Sequence, residues 1–287
     1  MNMLDSNVLV AEDFSAVGRM SMTAAISIFS GFGIQTAAIP TEILSTQSEG
    51  FGTPITTNND DWIKKTIGHW NQITDLNLAS AVVGYVGQPK TVKLLHDYLT
   101  TLKLKHVLVD PVMGDRGVMY DGFGDGYLDA IKQLIKAATV ITPNVTELQL
   151  LSGNQLTDNA SDAEVVRAIE ACRQKNDLNA RVVVTGIKRD AGIGCCFLSH
   201  GQLKWVSSPF VSGHFYGTGD LFSALLCGYL NFGVSFETAV QRSVFGVYEA
   251  VSRTGQVSEN KRKFGLDLTK TLNDVTKFTL GKDREEI

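Results

Sequence analysis

His106-Val107-Leu108-Val109-Asp110-Pro111 and Thr139-Val140-Ile141-Thr142-Pro143 are two short apolar runs, each stopped by a proline. Proline has no N–H to give to a sheet ladder, so each run reads as a strand that ends at that point. Between them, residues 126–137 place apolar side chains at helical spacing. Strand, helix, strand in that order is a parallel βαβ unit, whose sheet needs helices on both faces.

The same texture extends both ways. Upstream, residues 8–11 read as a strand, about 18–30 as a helix, 36–40 as a strand, 62–73 as a helix, 80–84 as a buried strand and 91–101 as a helix. Residues 41–59 are polar and rich in Ser, Thr and Gly, and read as a loop or flap. Downstream, 163–175 is helical and 181–185 a strand. Residues 194–198 and 203–207, joined across Ser199-His200-Gly201, suggest an antiparallel hairpin at one sheet edge. Helices follow at about 219–232 and 236–253, and the more charged tail, about 255–287, reads as a peripheral helix. No linker or repeat divides the chain, so the expectation is α/β, one domain over residues 1–287 with a mostly parallel central sheet.

Composition narrows the function. The 287 residues hold 26 Lys+Arg against 30 Asp+Glu, a net charge of −4, with 20% charged and 44% hydrophobic side chains. That supports a large core and excludes intrinsic disorder. No Lys/Arg block marks a nucleic-acid surface. No run approaches the roughly 18 apolar residues of a membrane helix. The first ten residues lack a basic start and carry Asp5, so no signal peptide is expected. Cys172, Cys195, Cys196 and Cys227 form no CxxC pair, and adjacent Cys195 and Cys196 point to opposite sides of a strand. They read as small core residues of a protein in the reducing cytoplasm. The sequons at Asn144 and Asn159 then read as chance matches.

In a parallel sheet, ligands sit beyond the carboxyl ends of the strands. The residues ending these strands are polar: Asp13, Asp110, Asn144 and Thr185. Gly217-Thr218-Gly219-Asp220 opens an apolar helix. Its glycines let a backbone approach an anion, and the first helical amides donate to one, which suits a phosphate. Asp220 could take a proton from an attacking hydroxyl, although the same residues also suit an ordinary acid in a first helical turn. Asp110 could hold Mg²⁺, or could be a turn residue before Pro111. Asn144 and Glu147 have capping-box spacing, and could equally be ligands to Mg²⁺ or phosphate. No GxxxxGK[ST], no GxGxxG after a first strand, no HExxH and no Cys/His cluster occurs, and the five histidines are scattered.

Taken in order, Asp110-Pro-Val-Met-Gly-Asp115, Thr142-Pro-Asn-Val-Thr-Glu147-Leu148, Val184-Thr185-Gly186 and Gly217-Thr-Gly-Asp220-Leu-Phe resemble the ribokinase-like superfamily, in its pyridoxal kinase and hydroxymethylpyrimidine kinase branch. Weaker matches are Val17-Gly18-Arg19, Leu44-Ser45-Thr46 and Gly84-Tyr85-Val86-Gly87. The resemblance implies a three-layer α/β/α sandwich with antiparallel edge strands, and ATP-dependent phosphorylation of the 5′-hydroxymethyl group of a B6 vitamer. It implies Asp220 as base, with amides of Gly217, Thr218 and Gly219 on the transferring phosphoryl group. Asp110 and Glu147 would handle Mg²⁺, Asp110, Asn144 and Glu147 the ATP phosphates, and Thr185, at a strand end, would contact the nucleotide, with a monovalent cation nearby. Asp13, Ser45, Ser48 and Asp220 would hold the vitamer, and a homodimer is implied. This chain departs from the family's usual Gln-Ser-His at Glu12-Asp13-Phe14, which leaves vitamer preference open, and also in the flap around Ser48. A hydroxymethylpyrimidine (phosphate) kinase and a non-catalytic vitamer-binding protein are the alternative readings.

Overall fold

The computed structural model describes residues 7–120, 122–157 and 160–281. The start of the chain through residue 6 and Asn159 of the second sequon lie outside the described residues.

A nine-stranded sheet organises the molecule. Its strands are β1 (Asn7–Ser15), β2 (Gln35–Leu44), β3 (Thr56–Asn58), β4 (Leu78–Val83), β5 (His106–Val109), β8 (Val140–Ile141), β9 (Arg181–Arg189), β10 (Gly192–Ser199) and β11 (Gln202–Pro209). β6 (Gly114–Asp115) and β7 (Val118–Met119) form a separate two-stranded ribbon that the sequence did not announce. The sheet order is β11-β10-β9-β8-β5-β4-β1-β2-β3. The six strands from β9 to β2 run parallel. β10 pairs antiparallel with both of its neighbours, and β3 pairs antiparallel with β2.

Helices cover both faces. α1 (Ser21–Gly31), α7 (Thr218–Asn231), α8 (Phe236–Thr254) and α10 (Thr269–Thr279) pack on one side. α2 (Asp60–Trp70), α3 (Pro89–Thr101), α4 (Tyr127–Leu134), α5 (Val145–Ser152) and α6 (Asp162–Lys175) pack on the other. A short α9 (Glu259–Arg262) precedes α10. Alternating β1 residues divide the core: Val8 and Val10 face the α1/α7 layer, while Leu9 and Ala11 face the other. Cys195 and Cys196 split the same way, and all four cysteines are buried and free. Among the described residues no helix is long and apolar enough to cross a membrane.

Two segments differ from the sequence reading. The 41–59 flap is partly sheet: β2 runs on to Leu44, and Thr56–Asn58 returns beside it with Glu42 opposite Asn58. β-Branched Thr41, Ile43, Thr56 and Thr57 favour pairing there, and the polar composition hid it. The tail is not peripheral either. Val275 and Phe278 of α10 are buried. The Phe278 ring meets Tyr229 at 5.1 Å and Phe232 at 5.3 Å, edge-on. Phe278→Ala should therefore cost about 3–5 kcal/mol of stability, the range for a buried phenylalanine. Urea unfolding would measure it, and a loss near zero would make α10 an ornament.

The fold also fixes where a ligand can enter. From β1 the chain steps to β2 on one side and later to β4 on the other. The switch between β1 and β4 opens a crevice at their carboxyl ends. Glu12 and Asp13 stand on one lip, and Gly84 on the other.

Candidate active site

α7 begins at Gly217, whose φ of 80° is the left-handed region a glycine adopts without strain. The first intrahelical bond runs from the Leu221 N–H to the Gly217 carbonyl, 3.1 Å. The amides of Thr218, Gly219 and Asp220 therefore have no partner one turn back and lie at the positive end of the helix dipole. Asp220 Oδ2 accepts from the Ser21 N–H at 2.7 Å and from the Ser21 hydroxyl at 3.2 Å. Ser21 takes φ 44°, a conformation that costs a non-glycine residue energy, and the Asp220 carboxylate is what holds it there. Burial raises the Asp220 pKa, and the two Ser21 bonds oppose that shift.

Three more acids converge on Asp220. Asp13 is buried beneath Ser15, whose hydroxyl donates to it at 3.2 Å. Burial first, and the Asp220 charge after it, push Asp13 up to about 7. Asp110 ends β5 against the start of α7, so close that a Cβ on Gly219 would fall 3.0 Å from its Oδ2. Burial and Asp220 raise it to about 8. Glu12, buried and with neither carboxylate oxygen hydrogen-bonded among the described residues, is pushed up by burial and then by Asp220, Asp13 and Asp110. Among the described residues no basic side chain offsets the charge of any of the four.

The raised acids set a sign for stability. A group whose pKa is higher folded than unfolded binds more protons in the folded state between those two values, so stability falls as pH rises through that interval. For Asp13 the interval runs from the ordinary aspartate value of 3.8 to about 7. The ligand-free protein should melt lower at neutral pH than in mild acid. Asp13→Asn should flatten that slope, as read by melting temperature across a pH series. An unchanged slope would put the repulsion elsewhere.

Asn144 and Glu147 form the capping box of α5 and more. Asn144 Oδ1 accepts from the Glu147 N–H at 3.0 Å, and Glu147 Oε2 accepts from the Asn144 N–H at 2.8 Å. Glu147 Oε1 also accepts from the Met113 N–H at 3.1 Å, and Asn144 Nδ2 donates to the Gly114 carbonyl at 2.8 Å. The Gly117 N–H donates to Thr146 Oγ1 at 2.8 Å. The box thus anchors the β6–β7 ribbon beside Asp110. Burial and the Asp110 charge raise Glu147, against the amide bonds. Thr185 follows alongside, its N–H donating to the Pro143 carbonyl at 2.9 Å.

Two buried, mutually repelling carboxylates offer hard oxygen donors, which suits Mg²⁺. Among the described residues no group of three His, Cys, Asp or Glu closes round a metal. An ion held by Asp110 and Glu147 would take its remaining ligands from phosphate and water.

The flap closes over this side of the sheet. Ser45 Oγ accepts from the Ile55 N–H at 2.9 Å and pins the flap's neck, while Ser48 is exposed on the flap. Neither serine has a hydrogen bond to Asp13 or Asp220 in the structure as described. Gln47 Nε2 donates to the Lys263 carbonyl at 2.7 Å, Lys263 Nζ donates to the Gly50 carbonyl at 3.0 Å, and Phe51 meets Phe264 edge-on at 5.0 Å. His214 bridges Arg116 of the ribbon turn (2.9 Å to Nδ1) and Glu49 of the flap (3.1 Å to Nε2). Arginine only donates, so Nδ1 accepts and Nε2–H faces the carboxylate.

Sequence reasoning found Asp13, Asp110, Asn144, Glu147, Thr185 and the 217–220 turn, and the fold brings them to the carboxyl ends of neighbouring strands and the start of α7. It assigned nothing to Glu12 or Ser21. A carboxylate one residue before Asp13 in an apolar strand was the available signal for Glu12. Ser21 carries no local signal, because its partner is 199 positions away.

Comparison with known proteins shows the family. The family model for phosphomethylpyrimidine kinase matches residues 21–264. A pyridoxine/pyridoxal/pyridoxamine kinase of Bordetella bronchiseptica is 27% identical over 261 residues, covering 83% of this chain and 85% of that protein. The crystal structure of pyridoxal kinase from Lactobacillus plantarum superposes with a TM-score of 0.88 at 32% identity, covering 97% of this chain and 99% of that one. A putative phosphomethylpyrimidine kinase from Bacteroides thetaiotaomicron, crystallised with pyridoxal, gives 0.85 at 26% identity over 94% and 95%. The ribokinase-like sandwich is shared throughout, and the chain belongs to the phosphomethylpyrimidine kinase family as a pyridoxal kinase-like kinase.

Proposed function

We propose that this protein transfers the γ-phosphoryl group of ATP to the 5′-hydroxymethyl group of a B6 vitamer, giving pyridoxal 5′-phosphate or its alcohol or amine form. The observation that carries this reading is Asp220: a base candidate fixed by Ser21, set at the amide-lined start of α7 and next to Asp13 at the switch point. Asp220 accepts the hydroxyl proton as the alcohol attacks. The amides of Gly217, Thr218 and Gly219 draw off charge developing on the transferring group. Asp13 holds the polar edge of the ring, and Ser45 and Ser48 bring the flap's hydroxyls to it. Asn144 and Thr185 line the path of the phosphates. Asp110 and Glu147 would hold Mg²⁺, which when bound would neutralise triphosphate charge, and a monovalent cation would answer the remaining acidic surplus.

The reading extends to a single kinase domain working in the reducing cytoplasm, where its buried thiols stay unpaired. It extends also to a homodimer that covers the exposed Phe14, Ile43 and Ile55 on the β1–β3 edge. Light scattering tests the dimer.

An ADP-release assay with pyridoxal, pyridoxine, pyridoxamine and hydroxymethylpyrimidine side by side tests the reaction. Turnover confined to hydroxymethylpyrimidine would make the protein a hydroxymethylpyrimidine (phosphate) kinase, the kind of activity its family is named for. Tight vitamer binding with no ADP would make it a binding protein.

A further inference from the structure

Glu42 stands apart from the four acids at the switch point and is used by none of the steps above. It lies on the flap end of β2 and lines a polar cavity of about 140 Å³, together with Thr41, Thr56, Asn58, Gln88 and Thr91. Its carboxylate packs against Gly87 and the Tyr85 phenol: a Cβ on Gly87 would fall 2.8 Å from Glu42 Oε2 and 3.1 Å from Tyr85 Oη. Gly87 thus leaves room for the carboxylate, which is half-buried. Burial raises Glu42, and only a hydrogen bond from Thr56 opposes it. β1 and β2 pair with Glu12 opposite Pro40 and Phe14 opposite Ile43, which sets Thr41 and Glu42 alongside Asp13, the residue given to the ring's polar edge, and Thr41 Oγ1 donates to the Tyr85 carbonyl at 2.7 Å.

Glu42 has no ion pair among the described residues, and a half-buried carboxylate without one is incomplete chemistry. Beside it stands the Tyr85 ring, backed by Phe123 at 5.9 Å. A carboxylate beside an aromatic ring offers an ammonium group both a counter-charge and a ring to lie against. We propose that Glu42 is the specificity residue of this site and receives a protonated amino group on the alcohol substrate, so that the aminomethyl vitamer is preferred over the aldehyde and hydroxymethyl forms. The proposal rests on the B6 kinase reading and narrows it.

The test compares kcat/KM for pyridoxamine and pyridoxine in the purified full-length protein, with a binding titration of each vitamer in parallel. Wild type should favour pyridoxamine by about tenfold or more, the effect of one modest, partly buried charge pair. Glu42→Gln keeps shape and hydrogen-bonding oxygen but loses the charge, and should bring the pyridoxamine-to-pyridoxine ratio down by about that factor. Glu42→Asp keeps the charge and should retain an amine preference. This guards against a trivial folding defect. An equal loss on both vitamers in Glu42→Gln, or a wild type with no amine preference, overturns the assignment. If no vitamer yields ADP, the B6 kinase reading fails. The binding titration still reads the amine preference, and its loss in Glu42→Gln would uphold the ammonium site.

Discussion

Asp220→Ala is expected to lower turnover by about 10²–10⁴-fold, the usual contribution of a positioned general base. In barrier terms that is about 3–5 kcal/mol. Nucleotide affinity should change far less, because the amides that face the phosphates belong to the backbone of the α7 start and stay when the side chain goes. The alanine variant has a second consequence. The Ser21 N–H loses its 2.7 Å acceptor while still held at φ 44°. Part of any loss could then come from a shifted α1 start. Asp220→Asn separates the two effects. Its amide oxygen still accepts from Ser21, but it cannot take a proton at neutral pH. If Asp220 is the base, Asn should be nearly as inactive as Ala, yet melt close to wild type. If Asp220 only anchors Ser21, Asn should restore most of the turnover. Single-turnover rates and melting temperatures on both variants decide it.

How much of this site was legible in the sequence follows from how far each interaction reaches along the chain. The 217–220 turn was legible because its parts are consecutive: two glycines, then an acid, then an apolar helix. Asn144 and Glu147 were legible because a capping box spans three residues. The parallel sheet was legible from apolar strands punctuated by proline and separated by helical spacing. Long-range terms were not. Ser21 finds Asp220 only because α1 and α7 pack in one layer. Glu12 looked like the polar end of a strand until β2 and β4 closed on both sides of β1 and buried it. The flap read as loop because its composition is polar, although Thr56–Asn58 can pair once β2 overruns the helix layer. The tail read as peripheral because its charges alternate with the few apolar residues that reach Phe32 and Tyr229. Site residue types were thus readable, whereas their charge coupling depended on packing.

Glu147→Gln is the second large expected effect, and it joins structure to chemistry. Both Glu147 oxygens accept from backbone amides, Oε2 from Asn144 at 2.8 Å and Oε1 from Met113 at 3.1 Å. Glutamine has one oxygen. Whichever way its amide turns, an NH₂ group meets one of those N–H donors inside a buried site. One bond is lost and a donor is left unsatisfied, which costs about 1–3 kcal/mol. The melting temperature should therefore fall by several degrees, at about 2–4 °C per kcal/mol for a chain somewhat shorter than this one. Removing the carboxylate also removes one of two ligands offered to Mg²⁺, so the Mg²⁺ needed for half-maximal rate should rise by about tenfold, one order for the loss of one charged ligand. The two effects part under titration. A purely structural Glu147 would leave a variant that is slow at every Mg²⁺ concentration with the same midpoint. A metal-holding Glu147 leaves one that recovers as Mg²⁺ is raised. An unmoved midpoint would assign Glu147 to the ribbon anchor alone and leave Asp110 as the sole protein carboxylate for the ion.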